Sequence, residues 1–595
     1  MYGNQFMTGL SLALMLGATN LGCGEESPAQ ETDIVELMEI DSGPDAALPV
    51  PDAGPVLLEA PEAWVYENDP ITDRGNLSRV EMHPSTSDEG LLTSEWVQVF
   101  NCLNEDGGLS AMPDFGGFPI TISFCNEVQS VKPDEDGNYL SIEPPESDAD
   151  PNDPFAEVMM YHHVNLVHDY FKDIHGYEEM DFPLPALVNV QIKTDPPIPF
   201  LQPGPDGWIG LSNAAFFPQE SWELFAAQFG LPPRDSDSII FFQGDKDFAY
   251  DARVIYHEYT HAVIGTERLQ TRAVLDQYGL DNSAPSMNEG LADFFAASMA
   301  DDPVIGAYVG VMDMGLRDLS QRRVCPDDTS DEIHAHGQLI GNTMWTVREA
   351  VGAEIAEGIV FRALEQFTVG TTHAIAAELI QSEADEISDE VSETVREIMA
   401  DHGFGSCVRS RPYEAFNVAR SRDRVPHVVE GKSSLGMGGF NDAVPAYKQF
   451  YIDVEAASSA IKLTWIQQPP QQAPGGFGGG GGQIPPLDLA VRVGEPIAVE
   501  AERFVSFVHD DRGEPPLNGQ KQEVYLSGNC VPAEGGRIHT LFLNTKRDSA
   551  QIVSMQISTE DEIPADAFVL NCGLAENEEM PAPDGSDDQS ADGSE

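Results

Sequence analysis

The sequence predicts an α+β protein of several domains, and three observations lead there. At 595 residues the chain exceeds what one hydrophobic core organises. Before residue 152 and again beyond 440, short apolar runs sit between Gly, Pro and Asp clusters, the pattern of strands. Between these regions, from residue 155, apolar and aromatic residues recur at helical spacing.

Taken in order, the chain opens "MYGNQFMTGLSLALMLGATNLGCGEESPAQ". Its apolar run over 6–19 is too short to span a bilayer and ends in small residues before Cys23. This resembles a signal peptide (1–22) leading to a bacterial lipoprotein cleavage site, with Cys23 as the lipidated residue. It departs from that pattern in having no Lys or Arg ahead of the run and Asn20 where an aliphatic residue is usual. The expectation is an exported protein, lipid-anchored to the cell envelope or extracellular, with the lipid as its sole membrane contact. Residues 23–60 are acidic, rich in Pro and Ala and without periodicity, and read as a tether.

Residues 61–152, with runs such as "EWVQVF" and "FPITISF", read as a β-rich region. "FAEVMMYHHVNLVHDYFKDIHGY" then predicts a helix closed by Gly176, and "ALVNVQI" and "SIIFFQG" predict strands. A mixed portion at 153–265 is followed by a mainly helical one at 266–430. From 440 to 575, runs including "QFYIDVEA", "AIKLTWI", "LDLAVRV" and "HTLFLNT" predict a β-sandwich. The Gly-rich piece at 474–486 reads as a long loop and 576–595 as an acidic disordered tail.

Thirty-one basic against 100 acidic residues give a net charge of −69, which repels nucleic acid and anionic membrane surfaces. Seven cysteines fit export. With Cys23 set aside, six remain as neighbouring pairs, 102/125, 325/407 and 530/572, expected to form three disulfides.

The chemistry centres on "VIYHEYTHAVIG" at 254–265. On a helix, residues four apart share a face, so His257 and His261 can hold one ion while Glu258 reaches a water beside it. A catalytic zinc needs a third protein ligand. Position 267, where a third histidine would fall in one such pattern, is a glutamate. "SMNEGLADFF" at 286–295 offers Glu289 as ligand and, four residues on, Asp293 to accept the free ring N–H of His257. Ser286 and Glu289 also spell a capping box, which would give Glu289 a local task instead. His162, His163, His168 and His175 lie on one predicted helix without a matching carboxylate motif and read as packing or surface residues.

HEYTH followed by NEGLAD resembles the gluzincins, the thermolysin-like and fungalysin-like zinc metallopeptidases. Over 153–430 the resemblance implies a two-lobed zincin holding one zinc and cutting peptide or protein substrates. "GLRDLS" resembles the segment carrying the substrate-binding arginine, Arg317, and "EIHAHGQLIGNTMW" the one carrying the oxyanion-stabilising histidine, His334. Gly337 and Trp345 favour His334 over His336 in that register. "SNAAFF" resembles the edge strand that pairs with substrate, with Asn213 and Ala214 in contact. In the implied mechanism Glu258 is the general base and His334 the oxyanion donor.

The departures are specific. Twenty-seven residues separate His261 from Glu289, longer than in thermolysin. The segment after Asp293 is too short for the family's calcium-ligand set, leaving Asp301 and Asp302 as the residues that could still bind Ca2+. The expected tyrosine has Tyr278 as nearest candidate, at a shifted position. The alternatives are a zinc aminopeptidase sharing HExxH and NEG, whose GxMEN motif is missing, and a surface binding protein with a degenerate peptidase domain.

Overall fold

The structure, a computed structural model, is a mixed α+β protein. It describes residues 60–573 except 105–109, 112–113, 116–117, 120, 148–149, 151, 197–206, 224–233, 270–273, 277, 311–314, 415, 418–426, 432–442, 457–459, 469–483, 502–504 and 547. The signal segment with Cys23, nearly all of the tether, most of the Gly-rich loop and the acidic tail lie outside the described residues.

An eight-stranded mixed sheet organises the first half. We label β1 (Val97–Leu103), β2 (Thr121–Phe124), β3 (Asn126–Val128), β4 (Leu184–Asp195), β5 (Ala214–Phe217) and β6 (Ser238–Phe242). The order is β5-β6-β4-β1-β3, with β2 also on β4. β4 is parallel to β1, Val97 facing Leu184, and to β6, Ile239 facing Ala186. β4 is buried on nearly every residue, the polar Asn189 and Gln191 included, because sheet neighbours and helices cover it.

This sheet corrects the boundary expected at 152/153. β1, β2 and β3 come from the stretch read as a separate β-rich region, yet β1 lies between β4 and β3. The same apolar cluster that contains Ala63, Val65, Val97 and Tyr139 continues through Phe155, Ile255, Leu291 and Phe404. Strand partners so far apart in sequence leave no trace in local periodicity.

Seven helices are labelled α1 (Pro154–Asp169), α2 (Ala252–Arg268), α3 (Ser283–Ala300), α4 (Ile333–Val351), α5 (Ala353–Leu364), α6 (His373–Asp385) and α7 (Asp389–His402). Asp153 caps α1 by accepting the Phe155 N–H at 2.8 Å, with Pro154 at the first helical position. α2 is buried from Ala252 to Ile264 apart from the half-buried His261, being packed against α1 and α3. α3 and α4 cross at glycines. A Cβ on Gly290 would stand 2.1 Å from the Gly337 carbonyl oxygen, so only glycine permits this approach.

The C-terminal half holds two six-stranded sheets around one apolar cluster. Trp465 of one sheet meets Phe542 of the other, ring centroids 5.1 Å apart. The four runs named from the sequence after 440 all form strands. Ser410–Pro412 and His427–Val429, expected within the helical portion, belong to these sheets instead. The helical stretch therefore ends at His402 rather than near 430.

The three expected disulfides are present: Cys102–Cys125, Cys325–Cys407 and Cys530–Cys572, with Cα separations of 5.1, 5.5 and 4.7 Å. Among the described residues no helix is long and apolar enough to cross a membrane.

Candidate metal centre

His257 and His261 project from the same face of α2, their Nε2 atoms 3.0 Å apart. Glu289, in the second turn of α3, brings Oε2 to 3.3 Å from His257 Nε2 and 3.6 Å from His261 Nε2. Ser286 is no cap: α3 begins at Ser283 after Asn282, and the Ser286 hydroxyl donates back to the Ser283 carbonyl inside the helix. Glu289 is thereby left to the histidines.

The ring protons can be placed. Asp293 Oδ1 lies 2.8 Å from His257 Nδ1, and Asn288 Oδ1 lies 2.5 Å from His261 Nδ1. With Asp293 beside one Nδ1 and Asn288 bonded to the other, the neutral rings that place their protons on Nδ1 leave both Nε2 atoms as ligand atoms. Those atoms face each other beside Glu289 Oε2, a buried oxygen with no hydrogen-bond partner. Three such atoms converging at this distance repel one another unless a proton or a metal cation joins them. The residues present therefore fit a metal ion, and this is the sole such His/Cys/Asp/Glu group among the described residues.

The surrounding charges hold this arrangement. Arg317 donates to Asp293 through Nε at 2.5 Å and Nη2 at 2.7 Å, both residues being buried. Burial raises the Asp293 pKa, but Arg317 and His257 outweigh it and hold the carboxyl down at about 2. Burial pulls His257 down, yet the adjacent Asp293 and Glu289 carboxylates outweigh it and lift its pKa to about 9, so the pocket favours positive charge, whether a proton or a metal ion. Glu289, raised by burial, is driven well below the usual carboxylate range by His334 and His261.

His334 stands in the first turn of α4, with Nε2 3.4 Å from Glu289 Oε2. Glu332 caps α4, accepting the backbone N–H groups of His334 and Ala335, and its Oε1 lies 2.6 Å from His334 Nδ1. Burial disfavours the imidazolium, but Glu289 and Glu332 more than compensate and raise the His334 pKa. His336 is turned away, fully buried with Nδ1 2.7 Å from Asn282 Oδ1. Glu258 is buried beside His257 on α2.

The structure thus gathers His257, His261, Glu289, Asp293, Arg317 and His334. Asn213 and Ala214 sit at the start of β5, the sheet's edge strand; the buried Asn213 amide nitrogen has no partner among the described residues. The two calcium candidates are each engaged by an arginine: Asp301 by Arg348 and Asp302 by Arg253, at 2.8 and 2.7 Å. Tyr278 makes its contacts with the C-terminal sheets, its carbonyl accepting from Gln449. The α1 histidines pack: His163 lies between Tyr256 Oη and the Tyr66 carbonyl, and His168 stacks on Trp96.

Two residues escaped the sequence reading. Asn288 orients His261 as Asp293 orients His257, and its place immediately before Glu289 was the available signal. Glu332, two residues before His334, stood at a helix-start position.

No family model matches the chain, and no curated protein does. Among solved structures it is similar to a family GH115 4-O-methyl-α-glucuronidase with specificity for decorated arabinogalactans. That likeness has 8% identity and a TM-score of 0.13, and covers 47% of this chain and 40% of the other. So slight a likeness carries no conclusion about fold or site, and the candidate centre rests on its own geometry.

Proposed function

We propose that this protein is an exported zinc-dependent endopeptidase with a two-lobed zincin catalytic portion. The observation that carries the reading is the convergence of two imidazole lone pairs and one carboxylate oxygen at 3.0, 3.3 and 3.6 Å, with Glu258 adjoining. A tetrahedral Zn2+ with ligand bonds of about 2.0–2.1 Å spaces its donors by about 3.3 Å. Two histidines and one glutamate also leave one position open, the arrangement of a catalytic rather than a structural zinc. When bound there, zinc supplies a Lewis acid that polarises a carbonyl and acidifies water.

The chain's own groups do the rest. Glu258 accepts a proton from the attacking water and returns it to the leaving amine. His334, whose pKa Glu289 and Glu332 raise, donates from Nε2 to a developing oxyanion. Arg317 fixes Asp293, which fixes the His257 ring. Among the described residues β5 is an edge strand, the place where an extended peptide adds to a sheet.

The test is zinc content together with cleavage of an end-blocked, internally quenched peptide. We expect one zinc per chain, and about 10²–10⁴-fold lower kcat with zinc retained in Glu258→Gln. Zinc-loaded protein that cleaves no better than Glu258→Gln refutes the proposal.

A further inference from the structure

The C-terminal sheets reach the candidate site's supports around Tyr447 and Lys448. Lys448, 2% exposed, donates from Nζ to the carbonyls of Pro326, Asp327 and Thr329 at 3.0, 3.1 and 2.8 Å. Asp331, 1% exposed, accepts the Tyr447 N–H at 2.5 Å and the Glu430 N–H at 3.2 Å. Together these contacts fix the 326–331 segment from end to end. The next residue is Glu332, which caps α4 and orients His334.

The grip extends to the other side of the site. Asn282, at the start of α3, donates to the Ser330 and Asp331 carbonyls at 3.0 and 2.8 Å and meets His336 through its oxygen. Arg409 donates to the Tyr447 and Leu280 carbonyls, pairs with Asp276 at 2.7 Å and stacks on Tyr447. Gly279 lies so close to Ala446 that a Cβ there would be 2.6 Å from its carbonyl oxygen. The segments leading into the Glu289 helix and the His334 helix are thus joined to each other and to residues 446–448.

We infer that Lys448 and Asp331 are positioning residues, through which the C-terminal sheets set His334 against Glu289. Burying a lysine and an aspartate is costly, and apolar residues of similar volume would hold two domains together as well. What apolar packing lacks is direction. Three carbonyls gripped by one amino group and two N–H groups taken by one carboxyl group specify a single path for 326–332. The zinc ligands do not need this path, because His257, His261 and Glu289 are set by α2, α3 and the Asp293 and Asn288 contacts. The inference rests on the proposed peptidase reading.

The test compares full-length wild type, Lys448→Met and Asp331→Asn, each also in a His334→Ala background. In the wild-type background we expect kcat to fall about 10- to 100-fold, the range of a misplaced catalytic group, with KM, zinc stoichiometry and zinc affinity unchanged. In the His334→Ala background the same substitutions are expected to cost less than about twofold, because their effect has already been removed. Folded, zinc-loaded variants with wild-type kcat overturn the inference. So does loss of zinc in step with kcat, or an undiminished loss in the His334→Ala background. Failure of both variants to fold also overturns it, by making the contact a requirement of the core. A wild-type chain that cleaves nothing sinks the peptidase reading itself, whereas an active wild type with indifferent variants sinks this inference alone.

Discussion

Asp293 joins the metal centre to the rest of the protein, and Asp293→Asn is the substitution that weighs this link. The carboxylate stands 2.8 Å from His257 Nδ1 and takes two hydrogen bonds from Arg317, at 2.5 and 2.7 Å. Asp293 and Arg317 are 1% and 8% exposed, so solvent replaces neither contact. Two effects follow. Losing the group that orients a metal-bound histidine costs about 10- to 100-fold in metal affinity, or about 1.4–2.7 kcal/mol. Leaving a buried guanidinium without its counter-charge costs about 3–5 kcal/mol of folding free energy, toward the lower end here because asparagine keeps an acceptor. The two effects separate experimentally. Zinc affinity is read by chelator competition, and stability by urea unfolding of the chelated protein. Adding Arg317→Met removes the orphaned charge, so stability recovers while zinc affinity stays low. Unchanged zinc affinity in Asp293→Asn, or affinity restored by Arg317→Met, would refute the role assigned to Asp293.

Two further outcomes are expected. Gly290→Ala forces apart the crossing of α3 and α4, since its Cβ would lie 2.1 Å from Gly337 O and 2.5 Å from Ile340 Cγ2. It should cost about 1–3 kcal/mol in urea unfolding, and wild-type stability would show that the crossing is not tight. Burial lowers His163 to about 3 and His373 to about 4, aided at His163 by His162 and opposed at His373 by Asp281. Their folded pKa values lie below the unfolded 6.5, so the stability they confer is present above pH 6.5 and is lost as pH falls toward 4. Each histidine contributes a slope of about 1.4 kcal/mol per pH unit in that window. Urea midpoints measured from pH 7 to 4.5 check this, and His163→Gln should flatten the slope by one proton's worth.

Much of the candidate site was legible because its signals are local. Helical geometry alone puts His257 and His261 on one face, and Glu289 and Asp293 on another. The glycines in "NEGLAD" and "HGQLIG" found their reason later, in the approach of Gly290 to Gly337. Domain limits were less legible. β1 sits beside β4 because of pairing across more than eighty residues, which no window of periodicity contains. Likewise 410–412 falls within the portion expected to be mainly helical until its partner 449–451 is in view.

By itself, then, the sequence determined which residues could bind a metal, the helices that carry them and the α+β class, and it suggested the cysteine pairs that the structure forms. These depend on residue type and on spacing within a few turns or strands. The tertiary structure decided what depends on contact between distant segments. It set the Nε2 atoms of His257 and His261 face to face, gave Arg317 to Asp293, and paired Asp301 and Asp302 with arginines. It also tied the loop before His334 to a buried lysine more than a hundred residues later. Such contacts are fixed by packing in three dimensions, and packing is a property of the whole chain.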